Sequence, residues 1–274
     1  MKAVIIALVS LFSLTSYSSR ANAETVLEKV SRTGMIHAGV RKDATPFGYV
    51  DAQQEWTGYS LELLELIRQR LEVKLDKKIN INNREMEVNN RFELVKTGKV
   101  DIACGATTIT QERLLEVDFS VPYFMTGAQF LVRANHAKQF NIHGTLEKSN
   151  IAYIPWTTTQ NILPKIYPFA RWKPVKDRQE GVEKLKSGEV EAVVSDGILL
   201  IGELVNQGNN PRDFVLMPSQ PMTTELYGCI LPQAQEDWKR FVDEIIASQE
   251  NRLLQVKWFS LDKSQFPYAI QITP

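Results

Sequence analysis

Short apolar, strand-like runs alternate with helix-like segments along most of this chain, and the alternation restricts the fold more than any single motif. A first series places strands at residues 35–40 and 100–104 and helices at 60–71 and 91–96, with Ser60 as the expected cap of the longer helix. Strands that are joined through helices run parallel within one sheet. The sequence therefore predicts an α/β protein with mainly parallel sheets.

A second series of the same kind occupies the middle of the chain. Its predicted strands are 151–154, 171–175 and 190–195, and its predicted helices are 159–167, 179–186 and 197–206. Strand-like runs at 129–133 and 226–231 flank this series, and helical patterns around 238–246 and 253–259 follow it. The repetition predicts a compact second lobe.

The amino-terminal end predicts export. Residues 1–23 contain Lys2, an apolar run at 3–14 and Ala-Asn-Ala at 21–23, which is the pattern of a cleaved secretory signal. The whole chain has 32 basic and 32 acidic residues, and removal of Lys2 and Arg20 with the signal leaves 30 basic against 32 acidic residues, a formal charge of about −2. The sequence has neither a basic tail nor a later run of roughly 20 apolar residues, so nucleic-acid binding and a membrane span are not predicted.

The two cysteines, Cys104 and Cys229, lie far apart in the sequence. In an oxidising compartment they could form a disulfide that closes a long loop, and the alternative is two small buried apolar side chains. Neither cysteine has ligand-type neighbours, and His37, His136 and His143 show no ligand spacing. No metal site is predicted.

The segment 98–124 combines features that suit the binding of a carboxylate. The strand at 100–104 leads into small and hydroxyl residues, where the backbone around Ala106 is approachable and Thr108 adds a hydroxyl. Arg113, on the helical turn that follows, can offer a planar guanidinium to both oxygens of an acid. The alternative is a helix cap with a solvated arginine.

The order of residues in this segment resembles the signature of the periplasmic amino-acid-binding proteins of ABC importers, solute-binding protein family 3. That signature reads G-K/R-x-D, then T-x-T-x-x-R, then D-F-S-x-P-Y. The matching positions are Gly98, Lys99, Asp101, Thr108, Thr110, Arg113, Asp118, Phe119, Ser120, Pro122 and Tyr123. The resemblance covers almost the whole chain after the predicted signal.

The resemblance implies a two-lobed type II periplasmic-binding-protein fold of the α/β class, with two strand crossovers that form a hinge. Lobe 1 would comprise 24–131 and 226–274, and lobe 2 would comprise 132–225. A ligand would then lie between the lobes, where α/β proteins commonly bind small molecules.

The family's ligands are amino acids, and the resemblance implies a partner for each charged group. Arg113, Thr108 and the backbone of Ala106 would hold the α-carboxylate, and Asp196, at the end of an apolar strand, would accept from the ammonium. The alternative for Asp196 is an N-cap of the helix at 197–206.

Three further residues are assigned by family position. Thr157 and Thr158 stand where the family closes threonines over the carboxylate, with helix capping as the alternative, and Trp156 replaces the family's glycine before them. Phe47, in the family-like segment PFGYV, is expected to wall the pocket, although aromatic residues more often lie in the core.

Several segments, among them AGVRKDATPFGYVDAQQEWTGYS and ACGATT, resemble the glutamate/aspartate-binding branch most closely. In that branch, arginines after the first strand and before the helix at 91–96 bind the side-chain carboxylate, and Arg41 and Arg91 hold those places. Arg178 stands where the branch tends to have a histidine. The alternative is that these arginines are solvated. The expected ligand is a polar amino acid and, as the finer expectation, an acidic one.

The resemblance implies a periplasmic monomer that captures its ligand, uses no cofactor or metal, performs no chemistry and presents the closed form to an ABC permease in the inner membrane. Two alternatives share the scaffold. One is an enzyme like the periplasmic cyclohexadienyl dehydratases, for which Glu85, Glu87 and Glu225 are carboxylates outside any recognisable catalytic motif. The other is a soluble ligand sensor for a membrane receptor.

Overall fold

The computed structural model describes residues 24–51 and 53–259. Over these residues the α-helices are α1 (Val26–Thr33), α2 (Tyr59–Leu75), α3 (Arg91–Lys96), α4 (Gln111–Leu114), α5 (Thr158–Ile166), α6 (Arg178–Ser187), α7 (Gly197–Asn206), α8 (Glu236–Ile246) and α9 (Gln249–Phe259), and two 3-10 turns lie at Ala134–His136 and Pro211–Asp213. Among them, none combines the length and apolar character that a membrane crossing requires. The predicted signal at 1–23 and the end of the predicted lobe 1, beyond residue 259, lie outside the described residues.

The strands in the same part of the chain are short. They are β1 (Met35–Val40), β2 (Asp43–Ala44), β3 (Gly48–Val50), β4 (Trp56–Thr57), β5 (Asn80–Glu85), β6 (Ile102–Ala103), β7 (Asp118–Phe119), β8 (Phe124–Thr126), β9 (Ala128–Arg133), β10 (Asn150–Tyr153), β11 (Arg171–Pro174), β12 (Ala192–Asp196), β13 (Phe214–Met217), β14 (Glu225–Tyr227) and β15 (Ile230–Leu231).

Two five-stranded sheets form the framework of the molecule. In the first, of order β5-β1-β6-β15-β7, β1 runs parallel to β5 and β6, whereas β15 is antiparallel to its neighbours. In the second, of order β11-β10-β12-β9-β13, β10 runs parallel to β11 and β12, and β9 is antiparallel to β12 and β13. We call the parts built on these sheets lobe 1 and lobe 2. The predicted α/β class is confirmed, but the prediction of mainly parallel sheets is wrong, because each five-stranded sheet has two parallel and two antiparallel pairings.

Two neighbouring strands connect the lobes. β8 joins β7 of the first sheet to β9 of the second, and β14 joins β13 of the second sheet to β15 of the first. The two strands pair antiparallel, with Glu225 opposite Thr126 and Tyr227 opposite Phe124. This two-stranded ribbon is the hinge formed by the two predicted crossovers. The exact lobe boundaries stay a prediction, and the one drawn after residue 131 falls within β9.

Two local predictions are wrong. Ser60 does not cap α2, because the helix begins one residue earlier and Gly58 holds the N-cap position. A side chain at Gly58 would meet the backbone, since a Cβ there would lie 2.3 Å from the Phe47 carbonyl oxygen and φ is 126°. The single strand predicted at 226–231 is two strands, β14 in the ribbon and β15 in the first sheet.

Lobe 1 contains a covalent cross-link. Cys104 and Cys229 are fully buried and bonded, with an S–S distance of 2.09 Å. Cys104 follows β6 and Cys229 precedes β15, its neighbour in the first sheet. The disulfide therefore ties the returning chain to the strand that leads into the segment around Ala106.

Candidate functional site

A small cavity lies between the two lobes, beside the hinge ribbon. Its walls are Arg41, Arg91, Ala106, Thr108 and Arg113 from lobe 1 and Thr157, Thr158, Thr159, Arg178, Ser195 and Asp196 from lobe 2. Nine of the ten predicted ligand residues are in this set, and Phe47 is not. The cavity volume is about 20 Å³, which is room for roughly one water molecule, so an amino acid would enter only after the lobes separate.

The strand order explains why these residues meet. Arg41 follows β1 and Ala106 follows β6, while Asp196 ends β12 and Thr157 follows β10. Parallel strands bring their carboxyl ends to one edge of a sheet, and here the two edges face each other across the cleft. The segment after β6 is also fixed to the ribbon, because the Ile109 amide donates to the Leu226 carbonyl at 2.8 Å.

The arginines give the cavity a strongly positive lining. Arg41, Arg91 and Arg178 are each at most 3% exposed, and Arg113 is half-buried. The guanidinium carbons of Arg91 and Arg113 lie 4.8 and 5.3 Å from the centre of the Phe92 ring, at distances typical of cation–π contacts. Arg113 also donates from Nη1 to the Thr108 carbonyl at 2.6 Å. These are not solvated surface arginines.

Arg91 is the least satisfied of the four. Its Nε has no hydrogen-bond partner among the described residues, and its Nη2 makes one long bond, 3.4 Å, to the Trp156 carbonyl of lobe 2. Burial, and after it the neighbouring charges of Arg113 and Arg41, lower the pKa of Arg91 well below its usual value. A group of this kind favours an incoming hydrogen-bond acceptor with negative charge.

Asp43, which was not assigned to the site from the sequence, binds two of the arginines. Arg41 donates from Nε to Asp43 Oδ1 at 2.7 Å and from Nη2 to Oδ2. Arg178 donates from Nη1 to the Asp43 carbonyl at 2.9 Å and from Nε to Ser195 Oγ at 3.1 Å. Burial of Asp43 opposes its ionisation, but attraction and hydrogen bonds from Arg41, with the charge of Arg178, outweigh that effect and lower its pKa to about 2.

Asp196 stands at the N-cap position of α7, but its Oδ2 accepts from the Tyr227 hydroxyl rather than from the first turn of that helix. Its Oδ1 is buried without a partner in the part of the chain that the structure describes. Burial, and then the charge of Glu225, raise the pKa of Asp196 to about 6. Within the described residues, the carboxyl therefore has one oxygen fixed by Tyr227 and one oxygen free to accept from a ligand.

Glu225 and Tyr227, both on β14, were not assigned to the site from the sequence. Glu225 is buried and accepts from Thr158 Oγ1 at 3.0 Å and from Thr223 Oγ1 at 2.9 Å. Thr158 thus joins the wall of lobe 2 to the hinge ribbon. The prediction placed Glu225 at the end of lobe 2 and Tyr227 in a strand of lobe 1, and it gave no reason to bring either side chain to the cavity.

Trp156, which replaces the family's glycine, lies in the loop before α5. The φ of Trp156 is 65°, in the left-handed region that glycine occupies most easily, so the backbone at this position is one that suits a glycine. The side chain is 70% exposed. Thr157 caps α5 by accepting from the Gln160 amide and also donates to the Ile154 carbonyl, which is the capping role named as its alternative.

Phe47 lies one layer below the cavity. Its fully buried ring is centred 5.0 Å from that of Phe124 and 5.3 Å from those of Tyr227 and Phe259. The expected pocket wall is therefore a core residue here, because a ring without polar atoms is best buried among other rings. Its contact with Tyr227 supports the residue that donates to Asp196.

A wider crevice of about 310 Å³ continues outward from Asp43. Its lining includes Lys42 and Glu85, which form an ion pair at 2.6 Å, and the Trp156 side of lobe 2.

Among the described residues, no group of three or more histidine, cysteine, aspartate or glutamate side chains is arranged to hold a metal ion.

Comparisons with known proteins agree on a family. The family described as "Bacterial extracellular solute-binding proteins, family 3" matches residues 36–260. The chain is 28% identical over 243 residues to the glutamate/aspartate import solute-binding protein of Escherichia coli K12, which covers 86% of this chain and 79% of that protein. It is 30% identical over 248 residues to the L-glutamate/L-aspartate-binding protein of Pseudomonas aeruginosa, covering 85% and 80%.

A solved structure gives the same fold. The crystal structure of the ancestral amino acid-binding protein AncCDT-1, described as a precursor of cyclohexadienyl dehydratase, has a TM-score of 0.73 at 22% identity and covers 86% of this chain and 99% of that one. This likeness confirms the predicted two-lobed periplasmic-binding-protein architecture.

Proposed function

This chain belongs to the bacterial extracellular solute-binding proteins of family 3, and we therefore propose that it captures an acidic amino acid, of the glutamate or aspartate type, for an ABC importer. One observation carries the choice of an acidic ligand. Among the described residues, four guanidinium groups converge on the cavity, and three carboxylates lie in it or bond to its walls. The formal excess is one positive charge.

This excess discriminates among amino acids by their net charge. A basic amino acid would add to it, and a neutral one would leave it buried and uncompensated, at a cost of several kcal/mol per unpaired ion. An acidic amino acid brings one net negative charge, so the closed site becomes neutral. Glu203, another buried carboxyl of lobe 2, is not part of the cavity wall and bonds to Gln207 rather than to a wall residue in the described structure, so it stays outside the count.

Each group of such a ligand has a proposed partner. Arg113, with Thr108 and the backbone of Ala106, would bind the α-carboxylate, and the open oxygen of Asp196 would accept from the ammonium. The side-chain carboxylate would meet the unsatisfied donors of Arg91. The charges of Arg41 and Arg178 and the hydroxyl of Thr158 would support this arrangement, and Thr157 would contribute by fixing the loop that closes over it.

The remaining expectations complete the proposal. Residues 1–23 would direct export to the periplasm, the mature protein would act as a monomer, and the ribbon of β8 and β14 would bend as the lobes close on the ligand. The closed form would then be presented to the permease.

A thermal-shift screen of residues 24–274 against the common amino acids and small dicarboxylates tests the function. We expect L-glutamate or L-aspartate to raise Tm most, with dissociation constants then measured by titration calorimetry. A larger rise with a basic or neutral amino acid would contradict the proposal. Turnover of prephenate by the same preparation would favour the dehydratase alternative, for which the likeness to AncCDT-1 is the relevant observation.

A further inference from the structure

We propose that Asp43 is a built-in counter-ion that sets how much negative charge a ligand must bring into the closed cleft. The inference rests on the proposed function, since it concerns the charge selectivity of the same site. It gives Asp43 a positioning role that acts through Arg41 and Arg178 rather than through contact with the ligand.

Asp43 forms a two-pronged ion pair with Arg41 of the same lobe. Asp43 lies on β2 and meets the Nε and Nη2 edge of Arg41 with both carboxylate oxygens. Asp43 occupies the Nε and Nη2 edge of Arg41, so that edge is closed to the ligand and only the Nη1 side of this guanidinium stays available. The side-chain carboxylate of a ligand is therefore assigned first to Arg91, whose Nε has no acceptor among the residues described.

The second contact crosses the cleft. Arg178 opens α6 in lobe 2, and its Nη1 lies 2.9 Å from the Asp43 carbonyl oxygen and 3.5 Å from Oδ2. The same side of lobe 2 approaches closely, because a Cβ added to Gly202 of α7 would lie 2.1 Å from the Thr45 carbonyl oxygen. Asp43 therefore compensates a guanidinium from each lobe, and the second only while the lobes are closed.

The charge count gives the consequence. With Asp43 ionised, the closed site carries one excess positive charge and suits a ligand of net charge −1. If Asp43 were neutral, the excess would be two, and a ligand of net charge −2 would gain relative to an amino acid. Asparagine has the same shape as aspartate, so it can replace Asp43 without a new buried void. The Asp43 side chain is also 27% exposed toward the wider crevice, which leaves room for the amide to be solvated.

The test uses calorimetry on the mature chain with two probes, L-glutamate and glutarate, which has the two carboxylates and no ammonium. For Asp43→Asn we expect the ratio of the glutarate to the glutamate dissociation constant to fall by roughly tenfold relative to the unmodified protein. Glu85→Gln is the matched control, since it makes the same charge change in the wider crevice at an exposed ion pair with Lys42. Its ratio should stay within about twofold.

The outcomes separate the two proposals. If the unmodified protein binds L-glutamate and Asp43→Asn leaves the ratio where Glu85→Gln leaves it, the counter-ion role is overturned and the proposed function stands. If the unmodified protein binds no acidic amino acid, both are overturned. Should Asp43→Asn fail to fold, Asp43→Ser gives the second test, because it removes the same negative charge and keeps a polar side chain: the ratio should again fall by roughly tenfold, and an unchanged ratio would overturn the role.

Discussion

The hydroxyl of Tyr227, on the hinge ribbon, donates a hydrogen bond to Oδ2 of Asp196 at the end of a lobe 2 strand. This contact fixes one carboxylate oxygen and leaves Oδ1 buried without a partner in the described structure. The proposed ammonium acceptor is thereby oriented by the same ribbon that joins the lobes.

Tyr227→Phe should weaken L-glutamate binding by about 1 kcal/mol, or roughly fivefold, because Asp196 loses the donor that orients it. Titration calorimetry at pH 7.5 measures the change. Tyr167→Phe is the matched control, since it removes a hydroxyl that donates to the Ile142 carbonyl at 2.9 Å outside the cavity. Equal affinities for the two variants would argue against the orienting role of Tyr227.

Arg113→Lys should weaken every amino acid ligand by about 2–4 kcal/mol, because lysine keeps the charge but loses the planar pair of donors for the α-carboxylate. The loss should be similar for glutamate and for any weaker ligand, since all amino acids share that group. Arg252→Lys, at an exposed position on α9, is the control. Unchanged affinity in Arg113→Lys would show that the carboxylate binds elsewhere.

Arg91→Gln should affect stability and selectivity in opposite directions. The ligand-free protein should gain about 1–2 kcal/mol, seen as a Tm rise of a few degrees, because a buried guanidinium with an unmet donor is removed. The preference for L-glutamate over L-glutamine should fall at least about tenfold. A ligand-free protein of lower Tm that kept its preference would contradict both parts.

The pH dependence of binding should follow Asp196, whose pKa is raised to about 6 by burial and by Glu225. The ammonium needs the ionised carboxylate, so the affinity for L-glutamate should fall as the pH drops through 6, by at most about tenfold per pH unit. Asp196→Asn should bind more weakly and lose this dependence between pH 5 and 7.5.

The stability of the ligand-free protein should change with pH in the opposite direction to the affinity for L-glutamate. A carboxyl whose pKa is raised on folding favours the native state at low pH, and that contribution is lost as the pH rises from about 4, its unfolded value, through 6. Thermal unfolding of the protein and of Asp196→Asn across this range separates the two effects. If the Tm shift induced by glutamate were as large at pH 5 as at pH 7.5, the assignment to Asp196 would fail.

The sequence was most informative where a functional side chain comes directly after a strand. Arg41 and Ala106 each follow an apolar run, and parallel strands of one sheet bring such ends together, so the closeness of these two residues could be foreseen. The position of Asp196 opposite them, at the end of a strand in the second sheet, was implied only by the family resemblance. Asp43 carried a usable signal as well, since residues two apart on an extended chain share a face and Arg41 precedes it by two.

Other features left no local signal. β5 reads NINNRE and is almost entirely exposed, so an edge strand of this kind shows no apolar alternation. Glu225 and Tyr227 reach the site only because β14 pairs with β8 about a hundred residues earlier, which no short window contains. Phe47 followed the general preference of aromatic residues for the core rather than its family position.

Trp156 combines an exposed indole with a backbone carbonyl that accepts from Arg91 of the opposite lobe. When the lobes part, that contact breaks and the indole, on the rim of the wider crevice, exchanges its neighbours for solvent. The emission of this tryptophan, recorded in a variant whose other four tryptophans are replaced by phenylalanine, is therefore expected to report domain motion without any attached dye.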